Sequence, residues 1–144
     1  SITLNADYKL LDVKLVKNNF KKKFKNSSTL YYIKRLRRLK NNEVYLISRA
    51  YIPIEIIGKN TPKNIFKDKN LLDVLINKFG IRIIKSEQEV SAITLDKNDS
   101  ILFKTQKGYP AISNTWFMYD NANNLVLIDQ EYTIKPIKVE NNYQ

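Results

Sequence analysis

The fold is decided by residues 30–53, which read LYYIKRLRRLKNNEVYLISRAYIP. Two runs rich in Tyr, Ile, Val and Leu, at 30–39 and 44–52, flank the pair Asn41-Asn42. This pattern predicts two antiparallel strands joined by a two-residue turn. Pro53 ends the second strand, because proline has no N–H to donate to a strand ladder. The stretch is therefore a predicted β-hairpin.

Other segments extend the predicted sheet on both sides of this hairpin. Runs of strand-forming residues predict four further strands, at 9–16, 81–95, 111–119 and 125–134. The polar residues 120–124 join the last two of these strands into a second hairpin. Residues 18–24 are compatible with either a short helix or a loop.

Short helices are predicted between the strands. Asn70 can cap a helix over 71–79, where apolar residues repeat at helical spacing, and Gly80 stands at its end. Asp96 can cap another over 96–103, with an apolar side supplied by the last three residues.

A third, brief helix is predicted to begin at Thr61-Pro62, with Thr61 as the N-cap. Hairpins require antiparallel pairing, and helices set between them cover a sheet. The predicted fold class is therefore α+β: an antiparallel sheet with short helices packed against one face. The length of 144 residues fits a single domain over 1–144.

The composition excludes several kinds of catalytic and metal site. The chain has neither His nor Cys, so it cannot build Ser–His–Asp or Cys–His nucleophiles or the usual zinc sites. Its three glycines are too widely spaced for a dinucleotide-binding or Walker-type loop. Catalysis would need carboxylates, lysine, tyrosine or a bound cofactor. No motif indicates one, and we expect no metal and no cofactor.

The net charge of +11, from 25 basic and 14 acidic residues, makes nucleic acid a possible partner. Lysines crowd residues 21–25, and a second basic group falls at 34–40. No recognition-helix pattern accompanies this charge. A chain rich in Lys, Asn and Ile also arises from codon bias, with its lysines simply solvated. A basic nucleic-acid-binding module therefore stays an alternative.

The sequence carries no signal for a membrane or for secretion. No apolar run reaches the ~20 residues that cross a bilayer. Charged residues interrupt the first 14 positions, which is unlike a signal peptide. The absence of cysteine favours a reducing compartment. We expect a cytoplasmic protein with no membrane partner.

Arg35 and Arg37 are candidates for binding an anion. They lie two residues apart on a predicted strand, so both side chains leave the same face about 7 Å apart. Guanidinium groups on a partly apolar face can bind a carboxylate or phosphate through two hydrogen bonds. The alternative is a solvated edge, or pairing with carboxylates such as Asp129 or Glu131. Trp116 is interpreted as a packing residue.

The order of these motifs resembles a known family. Residues 32–38, YIKRLRR, look like the Arg-x-Arg strand of the UTRA domain, the effector-binding module of GntR/HutC-type bacterial transcription regulators. Residues 46–53, LISRAYIP, are similar to that family's next strand, which ends in an aromatic residue, an aliphatic residue and proline. Residues 70–75 and 78–81 resemble its short helix and the following glycine–aliphatic strand. Residues 96–103, 108–110 and 125–134 complete the match.

The resemblance implies a chorismate-lyase-like fold that binds a small effector and acts on a winged helix-turn-helix domain. That DNA-binding domain would precede residue 1, so the chain is expected to be an isolated effector domain. Members of the family usually dimerise, and the implied protein is a repressor that contacts DNA through the preceding domain. The enzyme of this fold removes pyruvate from chorismate. A chorismate-lyase-like enzyme is therefore a second alternative.

The resemblance also implies a ligand site, formed by Arg35, Arg37, Ser48, Asn70, Leu72, Asp129 and Glu131. Arg35 and Arg37 match the anion-contacting arginines of the family. Ser48 stands where many members have Glu, and Leu72 where a ligand-contacting Tyr is common. Asp129 or Glu131 would supply the carboxylate of the closing strand. These departures disfavour a polyol, because hydroxyls need paired donors and acceptors. We expect an anionic effector such as a sugar phosphate or organic acid.

Overall fold

A computed structural model describes residues 4–20, 23–67, 70–135 and 140–143, with side chains from residue 8 onward. The predicted α+β class is confirmed, because a six-stranded antiparallel sheet carries a few short helices. The strands are β1 (Leu4–Lys17), β2 (Thr29–Leu39), β3 (Val44–Pro53), β4 (Ile83–Thr94), β5 (Pro110–Asp120) and β6 (Leu125–Thr133). The helices are α1 (Ile54–Ile57), a 3₁₀ helix (Lys63–Phe66), α2 (Leu71–Phe79) and α3 (Lys97–Leu102).

The sheet is assembled from two hairpins that meet in its middle. The strand order is β1-β2-β3-β6-β5-β4, so β3 and β6 are neighbours although about 70 residues separate them in the chain. All of the pairings are antiparallel. The register sets Arg35 opposite Ser48, Ser48 opposite Glu131, and Ala50 opposite Asp129. One face of the three central strands therefore brings these polar side chains together.

Both predicted hairpins are present, but the first turn is longer than expected. Residues 40–43 connect β2 to β3, and the N–H of Asn42 donates to the carbonyl oxygen of Leu39. Asn42 has a φ of 71°, a left-handed conformation that asparagine tolerates better than most residues. The prediction of a two-residue turn was wrong because the N–H of Leu39 donates to the carbonyl oxygen of Glu43, and this bond encloses the three residues 40–42.

One face of the sheet is covered by α1, the 3₁₀ helix and α2. Their buried residues Ile57, Phe66, Leu71 and Leu75 pack on strand residues that include Ile33. The hydroxyl of Tyr31 donates to the carbonyl oxygen of Gly58 at 2.7 Å, which fixes the end of α1 to this face. We call this the α2 face.

The opposite face is covered by other segments. Phe24, in the loop after β1, packs on Leu30 and Ile128, and Leu95 and Phe103 around α3 pack on Ile47. The expectation that all helices lie on one face was therefore wrong. The reason is a contact between distant parts of the chain: Phe103, at the end of α3, packs with Leu36 and Ile47, whereas Ile101 is 61% exposed. We call this side the α3 face.

The helix caps follow the predicted chemistry at two of three places. The side chain of Asn70 accepts a hydrogen bond from the N–H of Leu72 at 2.9 Å, and Gly80 ends α2 in a left-handed conformation. Asp96 accepts from the N–H of Asp99 at the start of α3. Thr61 does not cap the 3₁₀ helix, because its hydroxyl donates to the carbonyl oxygen of Ile57 instead.

Two predictions concern segments that lie partly outside the described residues. One is the segment 18–24, predicted as a short helix or a loop, and the other is the group of lysines at 21–25. Both contain residues 21 and 22, which lie outside the described ranges. The described residues of 18–24 form a loop, and the amide of Asn18 donates to the carbonyl oxygens of Phe24 and Ser27.

No helix in the described part of the chain is long and apolar enough to cross a bilayer.

Candidate functional site

A small polar pocket opens on the α2 face, between the sheet and the start of α2. It has a volume of about 190 Å³. Four strands and one helix contribute to its wall, which is formed by Tyr8, Arg35, Asn70, Leu71, Leu72, Trp116, Met118, Leu127, Asp129 and Glu131. We call this the arginine–carboxyl pocket. The strand residues come together because all of them point to the same face of the sheet.

Arg35 is the most deeply placed charge of this pocket. Only 1% of its surface is exposed, and its Cζ lies 3.8 Å from the centre of the Tyr8 ring. Its Nη1 donates to the carbonyl oxygen of Phe66 at 3.2 Å. Burial lowers the pKa of Arg35 from its ordinary value, and the nearby Tyr8, Asp129 and Glu131 partly oppose that effect. An arginine stays cationic at neutral pH, so a fixed positive charge lines the pocket.

Two carboxyl groups face this charge from β6. Burial raises the pKa of Asp129, although its Oδ1 accepts a 2.6 Å hydrogen bond from the Ser48 hydroxyl and Arg35 lies nearby. Burial and the neighbouring Asp129 raise the pKa of Glu131 to about 7, while a hydrogen bond from Trp116 acts in the opposite direction. Glu131 therefore changes its protonation state near neutral pH: it donates a hydrogen bond when protonated and accepts when ionised.

The two predicted arginines occupy different environments. Arg35 lines the pocket, whereas Arg37 lies one step further along the same face of β2, with its Cζ 5.4 Å from the centre of the Tyr8 ring. Tyr8 therefore contacts both guanidinium groups. A tyrosine ring placed against a guanidinium group holds the arginine side chain in position.

Ser48 lies behind the pocket wall. It is fully buried, and it reaches the pocket only through its hydrogen bond to Asp129. Asp129 and Glu131 both line the pocket. They are two residues apart on β6, so strand alternation places both on the α2 face.

Asn70 and Leu72 reach the pocket from the first turn of α2. The side-chain oxygen of Asn70 already accepts from the helix, so its amide nitrogen is the group that can donate to a ligand. Leu72 adds an apolar contact. Five of the seven predicted residues thus line one pocket, with Arg37 and Ser48 adjacent to it.

Sequence reasoning missed Tyr8, Met118 and Leu127, and it interpreted Trp116 only as a packing residue. Trp116 donates a hydrogen bond to Glu131, and its neighbour across the ladder is Asp129. The alternation of β5 and β6 could have placed Trp116 and Met118 on this side once the hairpin register was known. Tyr8 could not be found this way, because two register shifts interrupt the pairing of β1 with β2.

The sequence profile of the UTRA domain matches residues 8–134, which is most of the chain. The chain belongs to the UTRA domain family. UTRA domains of GntR-family transcriptional regulators are regulatory ligand-binding domains. No curated protein sequence matches this UTRA domain at a significant level.

Solved structures show the same fold at low sequence identity. One is the ligand-binding domain of a protein assigned to the GntR family of transcriptional regulators from Bordetella bronchiseptica, with a TM-score of 0.80, 12% identity and coverage of 95% of this chain and 89% of that one. A GntR-family regulator from Bacillus cereus has a TM-score of 0.78 and 15% identity, with coverage of 95% of this chain and 97% of that one. A GntR-family regulator from Enterococcus faecalis V583 has a TM-score of 0.77 and 13% identity, with coverage of 93% of this chain and 99% of that one. The predicted chorismate-lyase-like fold of the family is confirmed.

Proposed function

We propose that this UTRA domain senses a small anionic metabolite and thereby controls DNA binding by a HutC-type repressor. The supporting observation is the arginine–carboxyl pocket itself, in which buried Arg35 faces two carboxyl groups of raised pKa. When those acids hold protons, Arg35 and the adjacent Arg37 give the site a net positive charge. The site then suits a ligand with one carboxylate or phosphate and a few hydroxyl or amide groups.

The size of the pocket limits the ligand. A volume of about 190 Å³ suits a metabolite of roughly ten non-hydrogen atoms, since typical drug-sized pockets run from about 300 Å³ upwards. A small organic acid or a short sugar phosphate fits this limit. Leu72 and Met118 would contact its carbon skeleton.

The proposed mechanism of control is a shift in populations. The ligand would contact both the sheet, through Arg35, and the first turn of α2, through Asn70. A ligand changes a conformational equilibrium only by its different affinity for the two states. Contacts on two separate elements supply that difference, and the preceding winged helix-turn-helix domain would carry it to DNA in the cytoplasm.

We further propose a homodimer, formed through the outer edge of β4. Nine successive residues of this strand, 84–92, are exposed on both faces, and β5 is the strand with which it pairs. Val90 is 63% exposed and the nearby Ile112 40%. A long open edge with apolar residues is a common site for association.

Sedimentation velocity would test this proposal. We expect the parent chain to be a dimer, and the Val90→Asp variant to be a monomer with an unchanged circular dichroism spectrum. A monomeric parent chain would contradict it.

A thermal-shift screen against organic acids, sugar phosphates and amino-acid catabolites tests the sensor proposal. A ligand at 100 times its dissociation constant should stabilise the domain by about 2.7 kcal/mol. We expect hits confined to anions, and loss of the shift in Arg35→Lys, which keeps the charge but not the paired N–H groups. The matched control is Arg82→Lys, outside the pocket. An unchanged shift in Arg35→Lys would contradict the assignment.

The pH dependence of binding is a second test of the same site. An anion beside Glu131 favours its protonated form, so binding should be accompanied by proton uptake, and affinity should fall as pH rises through about 7. The Glu131→Gln variant should bind with affinity that varies less over this range. An affinity that rises with pH would instead indicate a cationic ligand.

A separate assay tests the alternative of a chorismate-lyase-like enzyme. Release of pyruvate from chorismate above the buffer rate would indicate an enzyme.

A further inference from the structure

A second cavity lies on the α3 face of the sheet, behind the arginine–carboxyl pocket. It has a volume of about 540 Å³ and is bounded by β1, β2, β3, the loop after β1 and the start of α3. Lys34 and Arg49, which are partners in the β2–β3 ladder, form its floor. The next pair along the ladder is Arg35 with Ser48, whose side chains point to the α2 face. The two sites therefore use adjacent pairs of the same ladder.

A buried carboxylate holds the two cations of this floor in position. Asp99 is 1% exposed; its Oδ1 lies 3.0 Å from Nζ of Lys34 and its Oδ2 2.5 Å from Nη2 of Arg49. Burial opposes the charge of Arg49, but the hydrogen bond and charge of Asp99 outweigh it and raise the pKa of Arg49. Among the described residues, Nη1 of Arg49 is buried and has no hydrogen-bond acceptor. An anion could satisfy that donor after a small shift of the side chain.

Two more lysines extend the positive charge along the cavity. Lys14 and Lys17 line it from β1, together with Asp12, which forms an exposed ion pair with Lys14. Within the described ranges, the cationic side chains of Lys14, Lys34 and Arg49 thus stand against the two carboxylates of Asp12 and Asp99. The excess of positive charge favours an anion.

Aromatic rings form the other wall. The rings of Tyr32 and Tyr51 lie 5.3 Å apart and inclined at 52°, and Phe20 packs edge-on against Tyr51 at 4.7 Å. Burial raises the pKa of both tyrosines, so their hydroxyls remain hydrogen-bond donors at neutral pH. Such a wall offers contact area to a flat apolar group, with donors at its rim.

From this combination of fixed cations, further lysines and an aromatic wall we infer that the cavity is a second ligand site, for a small organic anion with a flat apolar body. The carboxylate or phosphate group would lie near Lys14, Lys34 and Arg49, and the apolar body against Tyr32 and Tyr51. This site would be separate from the arginine–carboxyl pocket, since the sheet stands between the two.

The test uses phenyl phosphate, which combines a phosphate group with a flat ring, and inorganic phosphate for comparison. Both are titrated into the ¹⁵N-labelled chain at 150 mM KCl, where nonspecific attraction between exposed charges is weakened. We expect saturable shifts of the backbone amides of Tyr32, Lys34, Arg49 and Tyr51. Phenyl phosphate should bind at least about fivefold more tightly than inorganic phosphate, because only it contacts the aromatic wall.

Paired variants separate a built site from general attraction. Lys14→Gln/Lys17→Gln removes two lysines that line the cavity, and Lys59→Gln/Lys107→Gln removes two exposed lysines elsewhere with the same change in net charge. We expect the first pair to weaken phenyl phosphate binding about fivefold or more and the second by less than about twofold. Tyr51→Phe keeps the ring and removes the hydroxyl at its rim, so it tests that donor and not the aromatic contact.

Three results would overturn the inference. The first is the absence of saturable shifts at the α3 face. The second is a set of shifts confined to Ser48, Asp129 and Glu131, which would place the probe in the arginine–carboxyl pocket and leave the proposed sensor function untouched. The third is equal weakening by both pairs of lysine substitutions, which would mean attraction by net charge alone.

Discussion

An aspartate contacts each face of the β2–β3 ladder, and the two are held in different ways. On the α3 face, Asp99 contacts two cations, Lys34 and Arg49, at 2.5 to 3.0 Å. On the α2 face, Asp129 accepts a hydrogen bond from the neutral hydroxyl of Ser48, and burial raises its pKa. One carboxylate is neutralised by the protein. The other is left to change its protonation state.

This difference separates a structural carboxylate from one suited to binding. A buried charge that is fully paired adds order, and it is costly to disturb. A partly buried acid whose direct hydrogen-bond partner is a neutral hydroxyl can gain or lose a proton when a charged ligand arrives. The α2 face therefore has the more adaptable chemistry, whereas the α3 face has cations fixed in place by the fold.

The largest expected effect is that of Asp99→Asn on stability. The substitution leaves Lys34 and Arg49 without their common counter-charge in a buried site, which should lower the free energy of unfolding by about 3–5 kcal/mol. Urea denaturation at pH 7 measures it. The triple variant that adds Lys34→Met and Arg49→Met should recover much of the loss. A change below about 1 kcal/mol would show that the ion pairs are not important for stability.

A smaller effect, with a defined pH dependence, is expected for Glu131→Gln. The pKa of Glu131 is raised from 4.5 in the unfolded chain to about 7 in the fold, so the wild type loses stability as pH rises through this window. The glutamine does not titrate, and the variant should therefore be more stable by about 1–3 kcal/mol at pH 8 and nearly equal at pH 4. Equal stability of both proteins at pH 8 would contradict the raised pKa.

Tyr31→Phe tests the attachment of α1 to the α2 face. The variant keeps the packed ring and removes the hydroxyl that donates to Gly58 and Lys59. The loss should be about 0.5–1.5 kcal/mol, the usual net contribution of one hydrogen bond. Hydrogen exchange of the amides around Gly58 should accelerate more than that of β5. Tyr109→Phe, at a 43% exposed tyrosine, is the control.

The smallest effect completes the comparison of the two aspartates. Asp129→Asn retains an oxygen that can accept from Ser48, and it removes a charge that burial already disfavours. We expect a change in unfolding free energy within about 1 kcal/mol at pH 7, against the much larger loss for Asp99→Asn. The same isosteric substitution at Asp99 and at Asp129 should therefore give clearly different results. Similar losses at both positions would remove the distinction between the two faces.

Much of the fold could be predicted from local signals. The β2 and β3 strands, the loop at 120–124 and the capped helix α2 follow from apolar patterning, Asn and Gly positions and Pro53, which act within a few residues. The side of the sheet chosen by α3 could not be predicted, because it depends on Phe103 packing with Leu36 and Ile47, which are far away in sequence. The four-residue turn depended on one pair of backbone hydrogen bonds that composition does not specify.

The candidate site was predictable in its charges and not in its remaining wall. Arg35, Asp129 and Glu131 are recognisable from residue type, strand alternation and the family pattern. Tyr8 and Trp116 are ordinary aromatic residues until the register places them beside those charges. The role of Asp99 was hidden for the same reason: an acidic residue in the first turn of a helix is usually explained by the helix alone, and its two cationic partners are 50 or more residues away.

The use of both sides of the β2–β3 ladder has a consequence for how this sequence can change length. Deleting or inserting one residue in the middle of β2 would move Arg35 and Lys34 to each other's face of the sheet. The apolar side chains of the strand would change faces at the same time. Loss or gain of two residues would preserve the alternation. Descendants of this gene should therefore tolerate length variation in the loop at 40–43 and at 120–124, and within the central strands almost only in steps of two.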